Sequence, residues 1–156
     1  MDQFEGKVAV ITGSASGIGR ALAERCLAVG MHVVMADIEE AALEKTAAEF
    51  KQAGHNDVLT VQTDVAQLEA LEHLKARAID TFGAVHLLFN NAGVGGAGNA
   101  WRGSVNDWTW TIGVNLYSVI HGLRVFVPQM LDQGDACHIV NTASVAGLLG
   151  GVTNAP

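Results

Sequence analysis

The chain has 156 residues, of which 49% are hydrophobic and 16% charged, with a formal net charge of −7. That length and apolar content sustain a single domain with a real core and exclude a disordered chain. The acidic balance excludes a nucleic-acid partner, which needs a basic face, but not a nucleotide cofactor gripped by backbone dipoles.

Residues 7–12 open the pattern, where Val8, Ala9, Val10 and Ile11 run without a polar interruption, as in a strand buried on both faces. Thr12-Gly13-Ser14-Ala15-Ser16-Gly17-Ile18-Gly19 follows at once, and residues 17–29 read as a helix. Next come a strand at 32–37, a helix at 40–53, a strand at 57–62, a helix at 67–82 and a strand at 85–90. A long helix is predicted over roughly 105–133, then a last strand at 138–142. Gly30 and Gly54 stand where helix C-caps fall, and Ser104 where an N-cap falls. Residues 90–103 carry five of the 18 glycines and read as a loop leaving the carboxyl end of the fourth strand. Strict strand–helix alternation predicts βαβ units, a parallel sheet covered on both faces and a doubly wound topology.

Several classes are set aside on composition. Cys26 and Cys137 are far apart, match no Cys-x-x-Cys pattern and read as buried free thiols of a reducing compartment. The six histidines have no ligand spacing, so no metal site is predicted. No secretory signal opens the chain, and the longest apolar run, 114–127, is broken by Asn115, His121 and Arg124. The expectation is a cytoplasmic protein without a membrane partner.

A strand, a glycine-rich turn and a helix N-terminus together make an anion site, because unpaired N–H groups and the helix dipole converge there. A dinucleotide pyrophosphate suits it. Asp37 closes the second strand 18 residues after Gly19, where a carboxylate hydrogen-bonds ribose hydroxyls and repels a 2′-phosphate. The next residue is Ile38, and the glycine turn contains no Lys or Arg, so NAD is expected in preference to NADP. The alternative role for Asp37 is to cap the helix that follows. Asp64 and Val65, after the third strand, either hold the adenine amino group and cover its ring or start the next helix, and the two roles are compatible.

The set Thr-Gly-x-x-x-Gly-x-Gly at the first turn, Asn90-Asn91-Ala92-Gly93, Asn115 in Gly113-Val114-Asn115-Leu116, and Ser144 after the fifth strand resembles the short-chain dehydrogenase/reductase family. The resemblance spans residues 6–147 and implies a Rossmann-type sheet in three α/β/α layers. Gly13, Gly17 and Gly19 would then cradle the pyrophosphate, with Ser16 and Ile18 lining it. Asn91, Ala92 and Gly93 would lie against the adenosine-side ribose and brace the sheet. Ser144 would hydrogen-bond the substrate oxygen, and Asn115 would hold a water in a proton relay. Its neighbours Val114, Leu116 and Val119 suggest a packed helix rather than a solvent-facing position.

The family's tyrosine and lysine, Tyr-x-x-x-Lys, would fall just past Pro156, and its sixth and seventh strands are also missing. The only tyrosine, Tyr117, is not followed by lysine at that spacing. Either these residues belong to a longer enzyme, which the fitness of every earlier position favours, or they are a short product inactive by itself. The resemblance therefore implies an NAD-dependent oxidoreductase of secondary alcohols or ketones. The rival is a non-catalytic NAD-binding module or sensor. Residues 94–103, with Trp101, and the apolar run 145–151 are expected to border substrate. The segment 105–133 carries Trp108, Trp110, Leu116, Ile120, Leu123, Val125, Phe126 and Val127, more apolar surface than one sheet face needs, so a homo-dimer or homo-tetramer is expected.

Overall fold

The computed structural model describes residues 3–96 and 99–148. Five parallel strands form one sheet: β1 (Val8–Thr12), β2 (His32–Asp37), β3 (Val58–Gln62), β4 (Leu87–Asn90) and β5 (His138–Asn141), in the order β3-β2-β1-β4-β5. The helices are α1 (Gly17–Ala28), α2 (Glu40–Gln52), α3 (Leu68–Phe82), α4 (Val105–Ile112) and α5 (Ser118–Asp132). The predicted doubly wound parallel architecture is therefore present.

Alternation along the strands builds two cores. Val8 and Val10 of β1 join Val34 and Ala36 of β2 on one face, under Leu71 and Leu74 of α3 and Phe126 and Met130 of α5. Ala9 and Ile11 join Val33 and Met35 on the other, under Ala23 and Leu27 of α1 and Leu43 and Phe50 of α2. Burial on both faces explains why the strands read as continuous apolar runs.

Gly30 and Gly54, at φ +80° and +96°, end α1 and α2 as expected. Gly30 N–H donates to Leu27 O and Met31 N–H to Cys26 O, while Gly54 and His55 repeat the pair on Lys51 and Phe50. These are two Schellman motifs. Ser104 caps α4 in a reciprocal box with Asp107: its hydroxyl accepts from Asp107 N–H at 3.1 Å, and its own N–H donates to the Asp107 carboxylate at 2.8 Å.

Two expectations are corrected. The single helix over 105–133 is interrupted by a π turn, Gly113–Tyr117, between α4 and α5. At this turn Gly113 approaches Ala66 so closely that a Cβ would lie 3.4 Å from the Ala66 methyl, and the Asn115 amide bonds the Val94 backbone at both ends. Those tertiary ties hold the extra residue in place. Cys26 is buried, and burial pushes its thiol up to about 11, but Cys137 is only half-buried. Its sulfur accepts from Gln133 Nε2 at 3.0 Å in a small polar cluster beneath β4 and β5.

Beneath the sheet, at the amino ends of the strands, His86 is buried. Its Nδ1 accepts from Val8 N–H at 3.1 Å, and its Nε2 donates to Asp135 at 3.2 Å, with Lys7 3.5 Å from the same carboxylate. Among the described residues no helix is long and apolar enough to cross a membrane.

Candidate functional site

A cleft of about 790 Å³ opens over the carboxyl ends of the strands. That is the edge where open parallel sheets bind ligands, and the size suits a small-molecule site. Its first wall is the turn between β1 and α1: Gly13, Ser16, Gly17, Ile18 and Gly19 all border it. Two of the glycines are needed for packing. A Cβ on Gly13 would lie 2.8 Å from the Ala92 backbone, and one on Gly19 would strike the Gly13 carbonyl oxygen and sit 2.7 Å from Asn91 Nδ2. Gly17 is different, with φ +54° and open space where a side chain would stand. Ser16 is the N-cap of α1, yet its side chain makes no capping hydrogen bond. The start of α1 therefore carries a positive dipole end toward an open surface, uncapped by any side chain.

The floor is tied by Thr12, 3% exposed. Its hydroxyl donates to Phe89 O at 3.2 Å and accepts from the N–H groups of Asn91 and Ala92 at 2.9 and 3.0 Å. Asn91 Nδ2 donates to Thr12 O at 3.0 Å, and its Oδ1 accepts from the Thr142 hydroxyl at 3.1 Å. The tips of β1, β4 and β5 are joined through these two side chains. Asn91, Ala92 and Gly93 border the cleft, as does Thr142. Thr12 and Thr142 join the site only through contacts between strands; the one signal in sequence is that Thr12 opens the glycine motif.

Asp37 closes the next wall. One carboxylate oxygen accepts from Ala15 N–H at 3.0 Å and the other from Glu39 N–H at 3.1 Å. The first bond ties the β2 tip to the glycine turn, and the second closes a turn before α2, whose N-cap is Glu39 and carries no side-chain capping bond, so the capping role read for Asp37 is corrected. Ile38 and Glu39 continue the wall, and no Lys or Arg borders the cleft among the described residues.

Asp64 and Val65 border it as well. Asp64 accepts from Ala66 N–H at 3.0 Å, but it is not the N-cap of α3: that is Gln67, and the helix starts at Leu68. The helix-start role is corrected to a turn that precedes the helix. Thr109, Trp110 and Val114 complete the far side, none of them proposed for the cleft from sequence.

The eleven residues proposed to bind a cofactor thus meet on one cleft, while Ser144 and Asn115 do not border it. Asn115 is exposed, and so is Leu116, so the packed-helix argument fails there. Its amide is instead occupied by the Val94 backbone, accepting from N–H at 2.8 Å and donating to O at 2.9 Å. Ser144 lies beyond β5 at the start of a 3-10 turn, where its Oγ accepts from Ala146 N–H at 3.1 Å, and among the described residues its hydroxyl proton has no acceptor. Tyr117 borders a separate cavity beside α4 and not the main cleft. Trp101 is exposed, and residues 149–156, which include the end of the apolar run 145–151, lie outside the described residues.

A family model described as short chain dehydrogenase matches residues 7–156. A CLA biosynthesis dehydrogenase/reductase of Lactiplantibacillus plantarum is 36% identical over 96% of this chain and 52% of its own. A cyclohexanol dehydrogenase of Acinetobacter sp. is 39% identical over 96% of this chain and 59% of its own. The crystal structure of a short chain dehydrogenase/reductase from Burkholderia phymatum in complex with NAD superposes with a TM-score of 0.95 at 52% identity, covering 99% of this chain and 54% of that one. The chain spans about half the length of the curated relatives it matches.

Proposed function

Because this chain belongs to the short chain dehydrogenase family, we propose that it carries the nucleotide-binding half of an NAD-dependent oxidoreductase of secondary alcohols or ketones. The observation that carries the reading is the open position at Gly17, on an uncapped helix start, facing a cleft whose second wall is the Asp37 carboxylate. A diphosphate suits the first group and an unphosphorylated ribose the second. The NAD in the Burkholderia phymatum structure supports a nicotinamide cofactor. Preference for NAD over NADP rests on this chain's own residues: Asp37 and Glu39 border the cleft with no cation to offset a 2′-phosphate.

When bound, the nicotinamide supplies hydride chemistry. The protein must position the substrate and move the proton on its oxygen. Ser144, whose hydroxyl proton has no acceptor among the described residues, would donate to that oxygen. Asn115 holds Val94 at the cleft rim, which makes it a positioning residue as well as a candidate for water binding. Among the described residues no tyrosine or lysine borders the cleft. Tyr117 borders the other cavity, and a serine hydroxyl is too weak an acid to replace a tyrosine beside a lysine. The 156 residues alone are therefore expected to bind nucleotide without turning over alcohol, which is also what the reading as a non-catalytic module requires. A cytoplasmic location and a homo-oligomer complete the proposal.

The test is calorimetric titration of the chain, at verified mass, with NAD and NADP, alongside an assay for NADH formation from cyclohexanol. The expected outcome is NAD binding at least about tenfold tighter than NADP, a gap of about 1.4 kcal/mol, with no turnover. Tighter NADP binding overturns the Asp37 argument, and measurable turnover overturns the expectation that these residues bind nucleotide without catalysis.

A further inference from the structure

We propose that Trp110 defines the nucleoside end of the cleft by stacking its indole on the adenine base, an assignment that rests on the dinucleotide reading above. The strand order β3-β2-β1-β4-β5 sets the tips of β2 and β3 at one end of the cleft, and β5, with Ser144 beyond it, at the other. Trp110 belongs to the first end. It lies three residues before Gly113, which approaches Ala66 so closely that a Cβ would be 3.4 Å from the Ala66 methyl. Trp110 also borders the cleft together with Asp64, Val65 and Ala66 of the connection that follows β3. That connection carries Asp64, whose Oδ1 is taken by Ala66 N–H while Oδ2 has no partner among the described residues. Trp110 and Asp64 border the same cleft, so that oxygen is available to the amino edge of a base laid against the indole.

Trp110 is 53% exposed although it is a large apolar side chain, and among the described residues it pairs with no other ring. Ile38, also exposed, borders the same cleft from the tip of β2. The cleft therefore presents one unpartnered aromatic face and one aliphatic side chain at the end where the base of a dinucleotide would lie. In sequence Trp110 is counted with the subunit-interface residues; its place on the cleft wall gives it a different task.

The test uses AMP, which carries the adenosine end alone, in parallel with NAD on the wild-type chain, Trp110→Ala and Trp110→Phe. AMP and NAD are expected to bind Trp110→Ala about tenfold more weakly by calorimetry, and Trp110→Phe with affinity within about threefold of wild type. AMP should also quench wild-type tryptophan emission, and the quench should vanish in Trp110→Phe, a readout that does not depend on the alanine variant folding. Wild-type affinity in a folded Trp110→Ala, or a quench that persists in Trp110→Phe, overturns the proposal while leaving the cofactor reading in place. A wild-type chain that binds neither AMP nor NAD overturns both.

Discussion

A methyl group on Gly19 would strike the Gly13 carbonyl and crowd the Asn91 amide, whereas one on Gly17 would enter open cleft. Two glycines in one turn therefore have separable roles. Gly19→Ala should lower unfolding free energy by at least about 2 kcal/mol in urea titrations, because the clash is with backbone that cannot yield. Gly17→Ala should lose only about 1 kcal/mol, from its left-handed φ, while weakening NAD binding. Asp135 supports a second prediction at this scale. The hydrogen bond from His86, aided by the Lys7 ammonium, holds its carboxyl below the usual carboxylate range. A carboxyl lowered on folding stabilises the folded state above its ordinary value of about 4, and that contribution disappears as pH falls through the lower folded value. Wild type should lose stability more steeply than Asp135→Asn as pH drops from about 5 to about 2, with the urea midpoint as readout.

At the scale of elements, the capping box is the clearest local device. Ser104→Ala should destabilise the start of α4 by about 1 kcal/mol, seen as faster amide exchange at Asp107 and Trp108. The carboxyl of Asp107 lies below its usual range because Ser104 hydrogen-bonds it, so the wild-type cap should itself weaken as pH falls through that lowered value. The strands were legible because two-sided burial leaves runs such as Val8 to Ile11 with no polar break. The glycine caps were legible because only glycine takes φ near +80° without strain. The π turn was not, since nothing local in Gly113–Tyr117 breaks a helical pattern; contacts with Ala66 and Val94, distant in sequence, hold it there. The same reason hid the roles of Thr12 and Thr142. Their partners come from other strands, which a one-dimensional pattern does not pair.

Across the whole molecule, the two cores account for most of the apolar surface but not for the outer side of α4, the π turn and α5. Ile112, Leu116, Tyr117, Ile120 and Leu123 remain exposed there, beside a second cavity of about 550 Å³. An apolar stripe of that extent on one side of a folded chain suits burial against another copy. Ile120→Glu combined with Leu116→Glu should shift the chain from dimer or larger to monomer in analytical ultracentrifugation at micromolar concentration. A wild-type chain that already sediments as a monomer would remove the basis for that expectation.

The floor of the cleft has a consequence for binding. The Thr12 hydroxyl and the Asn91 amide already join three strand tips by protein–protein hydrogen bonds. A molecule arriving there would meet a floor ordered beforehand, so less conformational entropy opposes its capture than if those tips were ordered only on contact.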